Sequence, residues 1–334
     1  MQQNELHGER IMKTRTAPAL AGGLLAIFLA ASTFAAPVAK EGVSLRDGVV
    51  VDTARSVAYV MHPERGIQAL DLRRGTALWH SAAGERPLAL AGNLLVAQAQ
   101  PGANGELRIV ALGVRGGLLS SKADIRMPEG VRAEVAETLQ RSFHVTAMPS
   151  QGGVLIAWET EEFSSLPQKR EHQLGRVLGV AAEGRQGNPR GTAIFDPEAG
   201  RLSVSASTAG QTARPAVAMS LSAPGAAESR FTSADGRFVL ASRLVDDAAA
   251  LPYQWTISNA KTGAVLGTLR AEASMAPFAV DGTRLIHVAQ PSFRIEEGKM
   301  VERPLRIRAV DLTTGREVWR REIRDTAWRG PVPN

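Results

Sequence analysis

Carboxylates offer the clearest chemistry in this sequence. The run Trp158-Glu159-Thr160-Glu161-Glu162-Phe163 closes an apolar stretch. In an extended strand Glu159 and Glu161 fall on one face, opposite Trp158 and Thr160, so two carboxylates can converge on a cation or on a basic partner. Glu162 follows directly, and the next segment carries Lys169, Arg170, Glu171, His172 and Arg176. Glu159, Glu161 and Glu162 are therefore a candidate binding surface. Mixed charge of this kind is also the ordinary composition of a solvated loop. The regular carboxylate and carbonyl spacing of a calcium loop is missing.

Other chemistries find no pattern to support them. The six histidines are scattered, and His62 and His80 stand at expected strand ends without spaced partners, where surface residues are the better reading than metal ligands. The sequence holds no Gly-x-Ser-x-Gly elbow and no His-Glu-x-x-His site. The cysteine count is zero, which excludes a disulfide framework and c-type haem attachment. No catalytic, cofactor-binding or metal-binding residue is assigned, and no cofactor is expected. Basic residues exceed acidic ones by only 39 to 33, without a basic run longer than pairs such as Lys169-Arg170 and Arg320-Arg321, so a nucleic-acid surface is not indicated.

The elements that would carry these residues are repeats. Ala309-Val-Asp311-Leu-Thr-Thr314-Gly315-Arg-Glu-Val-Trp319 shares its Ala, Asp, Gly and Trp offsets with Ala69-Leu-Asp71-Leu-Arg-Arg74-Gly75-Thr-Ala-Leu-Trp79. Each reads as a strand ending in Asp, a tight turn closed by Gly, and a second strand. Weaker copies follow at Gly113 to Gly117, Asp196 to Gly200 and Asn259 to Gly263, giving five signature hairpins. The first weak copy lies 42 residues after the Asp71 copy, the length of a four-stranded propeller blade. The four later copies are each preceded by a second hairpin, around Gly92-Asn93, Gly152-Gly153, Asp235-Gly236 and Asp281-Gly282. The sequence thus predicts an all-β chain, a β-propeller of four-stranded blades, five to seven in number. The third blade carries about twenty extra residues, an insertion at about 163–190, and insertions in repeat arrays map to loops on one face.

The pattern Ala-x-Asp-x-x-Thr-Gly-x-x-x-Trp resembles the repeat of the PQQ-like, quinoprotein-type β-propeller family, itself close to WD40 and YVTN-like arrays. Ala309, Asp311, Thr314, Gly315 and Trp319 match it in full; Ala69, Asp71, Gly75 and Trp79 match with Arg74 in place of Thr. Asn259, Thr262 and Gly263 match with Gly267 at the Trp position, and Asp196 and Gly200 match with Ala199 and Val204 at the Thr and Trp positions. The resemblance implies that Trp79 and Trp319 pack between adjacent blades. Family enzymes that use PQQ imply more blades and a pair of adjacent cysteines, which this chain lacks.

Outside the repeats, Lys13 and Arg15 precede an apolar run from Ala19 to Ala31 and the small residues Thr33, Ala35 and Ala36. This order predicts a secretory signal peptide over 1–36, with a start at Met12 a better head than Met1. A single propeller domain over 37–334 follows, located in the periplasm or secreted, with no transmembrane span after cleavage. Val131, Val135 and Leu139 at helical spacing predict one short helix over 129–140. Val43 to Val51 is the expected partner for closing the ring, and the tail after Arg320 is expected on the surface. The functional expectation is a non-catalytic protein-binding or scaffold module whose partner is another protein of the cell envelope. The alternative is a propeller enzyme, a quinoprotein-like oxidoreductase or a hydrolase.

Overall fold

The computed structural model describes residues 42–325 apart from 103–104, 127–141, 162–189, 204–228, 234, 247–250 and 297–298. The first blade holds β1 (Val43–Arg46), β2 (Val49–Asp52), β3 (Val57–Met61), β4 (Ile67–Asp71) and β5 (Ala77–Ser81). The second holds β6 (Arg86–Ala91), β7 (Leu94–Gln98), β8 (Leu107–Gly113) and β9 (Leu119–Ile125), and the third β10 (Ser142–Ser150), β11 (Gly153–Glu161), β12 (Arg190–Asp196) and β13 (Arg201–Ser203). The fourth holds β14 (Ser229–Thr232), β15 (Phe238–Leu244), β16 (Tyr253–Asn259) and β17 (Val265–Ala271). The fifth holds β18 (Phe278–Asp281), β19 (Arg284–Ala289), β22 (Arg306–Asp311) and β23 (Glu317–Glu322), with β20 (Ser292–Glu296) and β21 (Lys299–Arg303) forming a separate hairpin inserted between β19 and β22. Every blade is an antiparallel meander, and the protein is an all-β propeller.

Central strands are apolar on both faces where a neighbouring blade covers each face, as in the first blade. Val49-Val-Val-Asp52 and Val57-Ala-Tyr-Val-Met61 are buried throughout, while the outer strand Ala77–Ser81 is largely exposed. Alternation divides the inner residues between seams. Val49 and Val51 join Ile286, Val288 and Ile307 in the seam with the fifth blade, whereas Val50 and Tyr59 join Leu90, Leu95 and Leu112 in the seam with the second. Val96 and Ile109 pack on Ile156, Trp158 and Phe195 between the second and third blades. Leu240, Trp255 and Ile257 pack on Leu285, Val310 and Leu312 between the fourth and fifth.

Two expectations about the ends of the chain need correction. Val43 to Val51 does not hydrogen-bond to the last blade, because that blade supplies four strands of its own. Instead β1 pairs with β2, and its Val43 and Leu45 fill the seam between first and fifth blades, so closure there is by side-chain packing. Nor does Ile323, in the tail expected on the surface, lie there, whereas Arg321 and Glu322 are exposed, Arg324 and Asp325 are partly buried, and 326–334 lie outside the described residues. Ile323 is buried, its amide donates to the Leu305 carbonyl at 3.0 Å, and the Arg324 amide donates to the Met61 carbonyl at 3.1 Å. An apolar residue directly after the outer strand is drawn into the nearest seam. The expected signal peptide, the helix over 129–140 and the insertion at about 163–190 lie outside the described residues, save Arg190, which opens β12.

The meander sorts the connections between two ends of the ring. At one end stand the inner hairpins and the signature turns, none longer than five residues. At the other stand the blade crossovers together with the connections 62–66, 99–106, 162–189, 245–252 and 290–305. Nearly all the chain length that the sheets do not need leaves from this second end.

Candidate functional site

The signature residues build the short-turn end. Asp71 accepts from the amides of Arg73 and Arg74 at 2.7 and 2.8 Å through one side-chain oxygen, and its carbonyl accepts from Gly75 at 2.7 Å. Asp196, Asn259 and Asp311 repeat this arrangement with the amides two and three residues on. The Thr313 hydroxyl, then the Thr314 amide, holds the Asp311 carboxyl below the usual carboxylate range, and the Ala199 amide does the same for Asp196. In the second blade Gly113 stands where the others have Asp or Asn, and only its carbonyl closes the turn, accepting from Gly117 at 2.8 Å. These carboxylates are occupied in shaping turns.

Each outer strand then reaches the next blade at one equivalent position. Trp79 donates its indole N–H to the Val114 carbonyl at 2.9 Å, and Trp319 does the same to Leu72 at 2.9 Å. Ser121 stands at this position in the second blade and donates its hydroxyl to Pro197 at 2.6 Å. In every case the acceptor immediately follows the turn's first residue. The Trp319 ring also lies over Gly75, whose φ of +67° favours glycine and where an added Cβ would sit 2.6 Å from the indole. Trp79 covers Gly117 in the same way. In the fourth blade the position is Gly267, and the backbone itself comes so close that a Cβ would collide with the Leu312 carbonyl. The equivalent of the third blade, Val204, lies outside the described residues.

The candidate carboxylates stand at the other end. Glu159 is exposed near the end of β11, opposite His144 on β10 and Arg190 on β12, while Trp158 faces the second blade. Glu161 closes the same strand, and Glu162 lies outside the described residues. Nearby, His144 Nδ1 stands 3.4 Å from Asp47. His62 and His80, read as separate surface residues, meet with ring centroids 4.8 Å apart, and His80 Nε2 lies 2.7 Å from the Arg65 carbonyl. Pairing of β3 with β4 and of β4 with β5 brings them together, which spacing along the chain did not indicate. Among the described residues no three His, Asp or Glu side chains gather as metal ligands.

A cavity of about 180 Å³ opens at the loop-bearing end of the seam between the fourth and fifth blades. Trp255 and His287 form its floor, their rings edge to face at 5.3 Å and 71°, with the Trp255 indole donating to the Ala273 carbonyl at 2.9 Å. Leu269, Met275, Ala276 and Pro291 add apolar wall, and Arg270, Glu272 and Arg308 line it from β17, the crossover and β22. His287 is buried and, among the described residues, neither ring nitrogen has a hydrogen-bond partner. Burial pulls its imidazole down to about 3; Arg308, then Arg306, push the same way, and the Val288 backbone offsets only part. A histidine in the apolar strand Leu285-Ile-His287-Val-Ala was the only sequence signal for this site. A wider hollow of about 490 Å³ on the same seam shares Leu269, Arg270 and Arg308.

No family model matches the chain, and no curated protein matches it. Among solved structures it is similar to BamB from Moraxella catarrhalis at 12% identity, over 82% of this chain and 60% of that one, with a TM-score of 0.23. It is similar to a europium-containing methanol dehydrogenase at 11% identity, over 83% and 62%, with a TM-score of 0.24. It is similar to the β-propeller domain of Myceliophteria thermophila Cps50 (Swd1) at 8% identity, over 84% and 88%, with a TM-score of 0.21. The chain spans about three fifths of the length of the first two. Likeness at this level carries no inference about function, and the fold rests on the sheets and seams described above.

Proposed function

We propose that this is an exported propeller of the PQQ-like repeat type that serves as a non-catalytic protein-binding module, holding another protein of the cell envelope against its loop-bearing end. One observation carries the reading: the connections split so unevenly between the two ends of the ring. Turns of five residues or fewer on one side and connections up to 162–189 and 290–305 on the other are the distribution expected when a rigid scaffold presents variable loops. Glu159 and Glu161 belong to that end, so a partner with a basic patch fits it.

The test uses the mature chain from Ala36 as bait for cross-linking in periplasmic extract. One variant replaces residues 291–304 with a two-residue turn. Another reverses Arg73 and Arg74 at the short-turn end. The proposal expects the same cross-linked partner with wild type and the short-turn variant, and its loss with the loop variant, both variants melting as cooperatively as wild type. Retention by the loop variant together with loss by the short-turn variant overturns it.

A further inference from the structure

We propose that the cavity between the fourth and fifth blades is a binding site for a small anion with a flat apolar body, of the aryl carboxylate class. Size sets the first limit. Apolar cavities of roughly 150 Å³ take a benzene ring. At about 180 Å³ this one has room for a single ring. The Trp255 indole and the side chains of Leu269, Met275 and Ala276 offer such a ring an apolar surface.

Charge sets the second limit. The Arg270 side chain is exposed and, among the described residues, has no ion-pair or hydrogen-bond partner. Arg308 gives its Nε–H to Glu317 at 2.6 Å, which leaves both terminal nitrogens of the guanidinium as donors. Glu317 already matches Arg308 and Glu272 has an interaction of its own, so the unmatched charge at the mouth among the described residues is the Arg270 guanidinium, which favours an anion. A carboxylate is the planar acceptor that a guanidinium fork matches. A cation is opposed, and His287 adds none of its own at neutral pH because it stands uncharged. This site goes beyond the protein-binding reading and does not depend on it.

Benzoate, benzamide and benzamidine are isosteric and carry charges of minus one, zero and plus one, so titration of the mature protein with each separates charge from shape. For ligands of this size binding at about 10 mM or tighter is expected. Benzoate should bind about three- to fivefold more tightly than benzamide, as rim ion pairs allow, and benzamidine not measurably. Arg270→Gln should weaken benzoate and leave benzamide unchanged, and Ala276→Leu, on the crossover, should abolish both. Circular dichroism and melting establish that each variant is folded; should Ala276→Leu fail to fold, Arg270→Gln decides alone. Equal affinities for benzoate and benzamide, benzoate binding unaltered in both folded variants, or no benzoate binding at 10 mM, overturns the proposal.

Discussion

His287 shows what a single side chain costs when a seam closes over it. In the unfolded chain its pKa is the ordinary 6.5, and in the fold it lies near 3, so between those values the unfolded state binds the extra proton. Its contribution is fully present above pH 6.5 and is lost as pH falls toward 3, at up to about 1.4 kcal/mol per pH unit. His287→Leu removes both the proton site and two unpartnered nitrogens. Urea midpoints of this variant should be no lower than wild type near pH 7.5 and exceed it increasingly from pH 6 to pH 4; an excess at pH 4 no larger than that at pH 7.5 would show the imidazole to be hydrated. The turn carboxylates act in the same direction. Asp311 and Asp196 are held low, so their stabilisation is present above the ordinary carboxylate range and lost as pH falls through the lowered value.

At the scale of the element, the outer-strand position that touches the next blade tests how the ring is assembled. Trp319 is 8% exposed and donates a hydrogen bond across the seam, so Trp319→Ala should cost about 3 to 5 kcal/mol. Trp79 is only half-buried and should cost less. Chemical denaturation checks both, and unchanged midpoints would deny the position any role in stability. Gly267→Ala is the opposite experiment. A methyl group there meets the Leu312 carbonyl, so the variant should lose stability although it adds apolar surface, with a loss measurable in the same titration. The turns were legible in the sequence because Asp and Gly at fixed offsets are a local signal. The contacts across seams were not, since Trp319 and Leu72 are 247 residues apart and only the resemblance suggested a wedge at all. The cavity was less legible still. Trp255, His287 and Arg308 come from three strands in two blades and share no spacing. Ser121 escaped notice for another reason: nothing in its residue type marks it as the equivalent of a tryptophan.

For the whole molecule, the proposed export predicts a mature chain starting near Ala36, and intact mass of protein recovered from the periplasm should show it; retention of Met1 or Met12 would contradict export by cleavage. The ring itself carries a further consequence. Trp79 grips the second blade, Ser121 the third, and Trp319 the first, always through the outer strand of one unit and the turn of the one after it. That is head-to-tail association within a single polypeptide, where each joint has two different halves and nothing in either half records how many units stand in line. Ring size is then a matter of accumulated angle, not of any contact. Duplicating or excising a whole blade leaves the joints away from the cut with their own halves and makes one new joint on the same plan of outer strand and turn. This chain is thus open to growth or shrinkage by whole blades, a change of copy number that alters the central opening while leaving the grip between neighbours as it is.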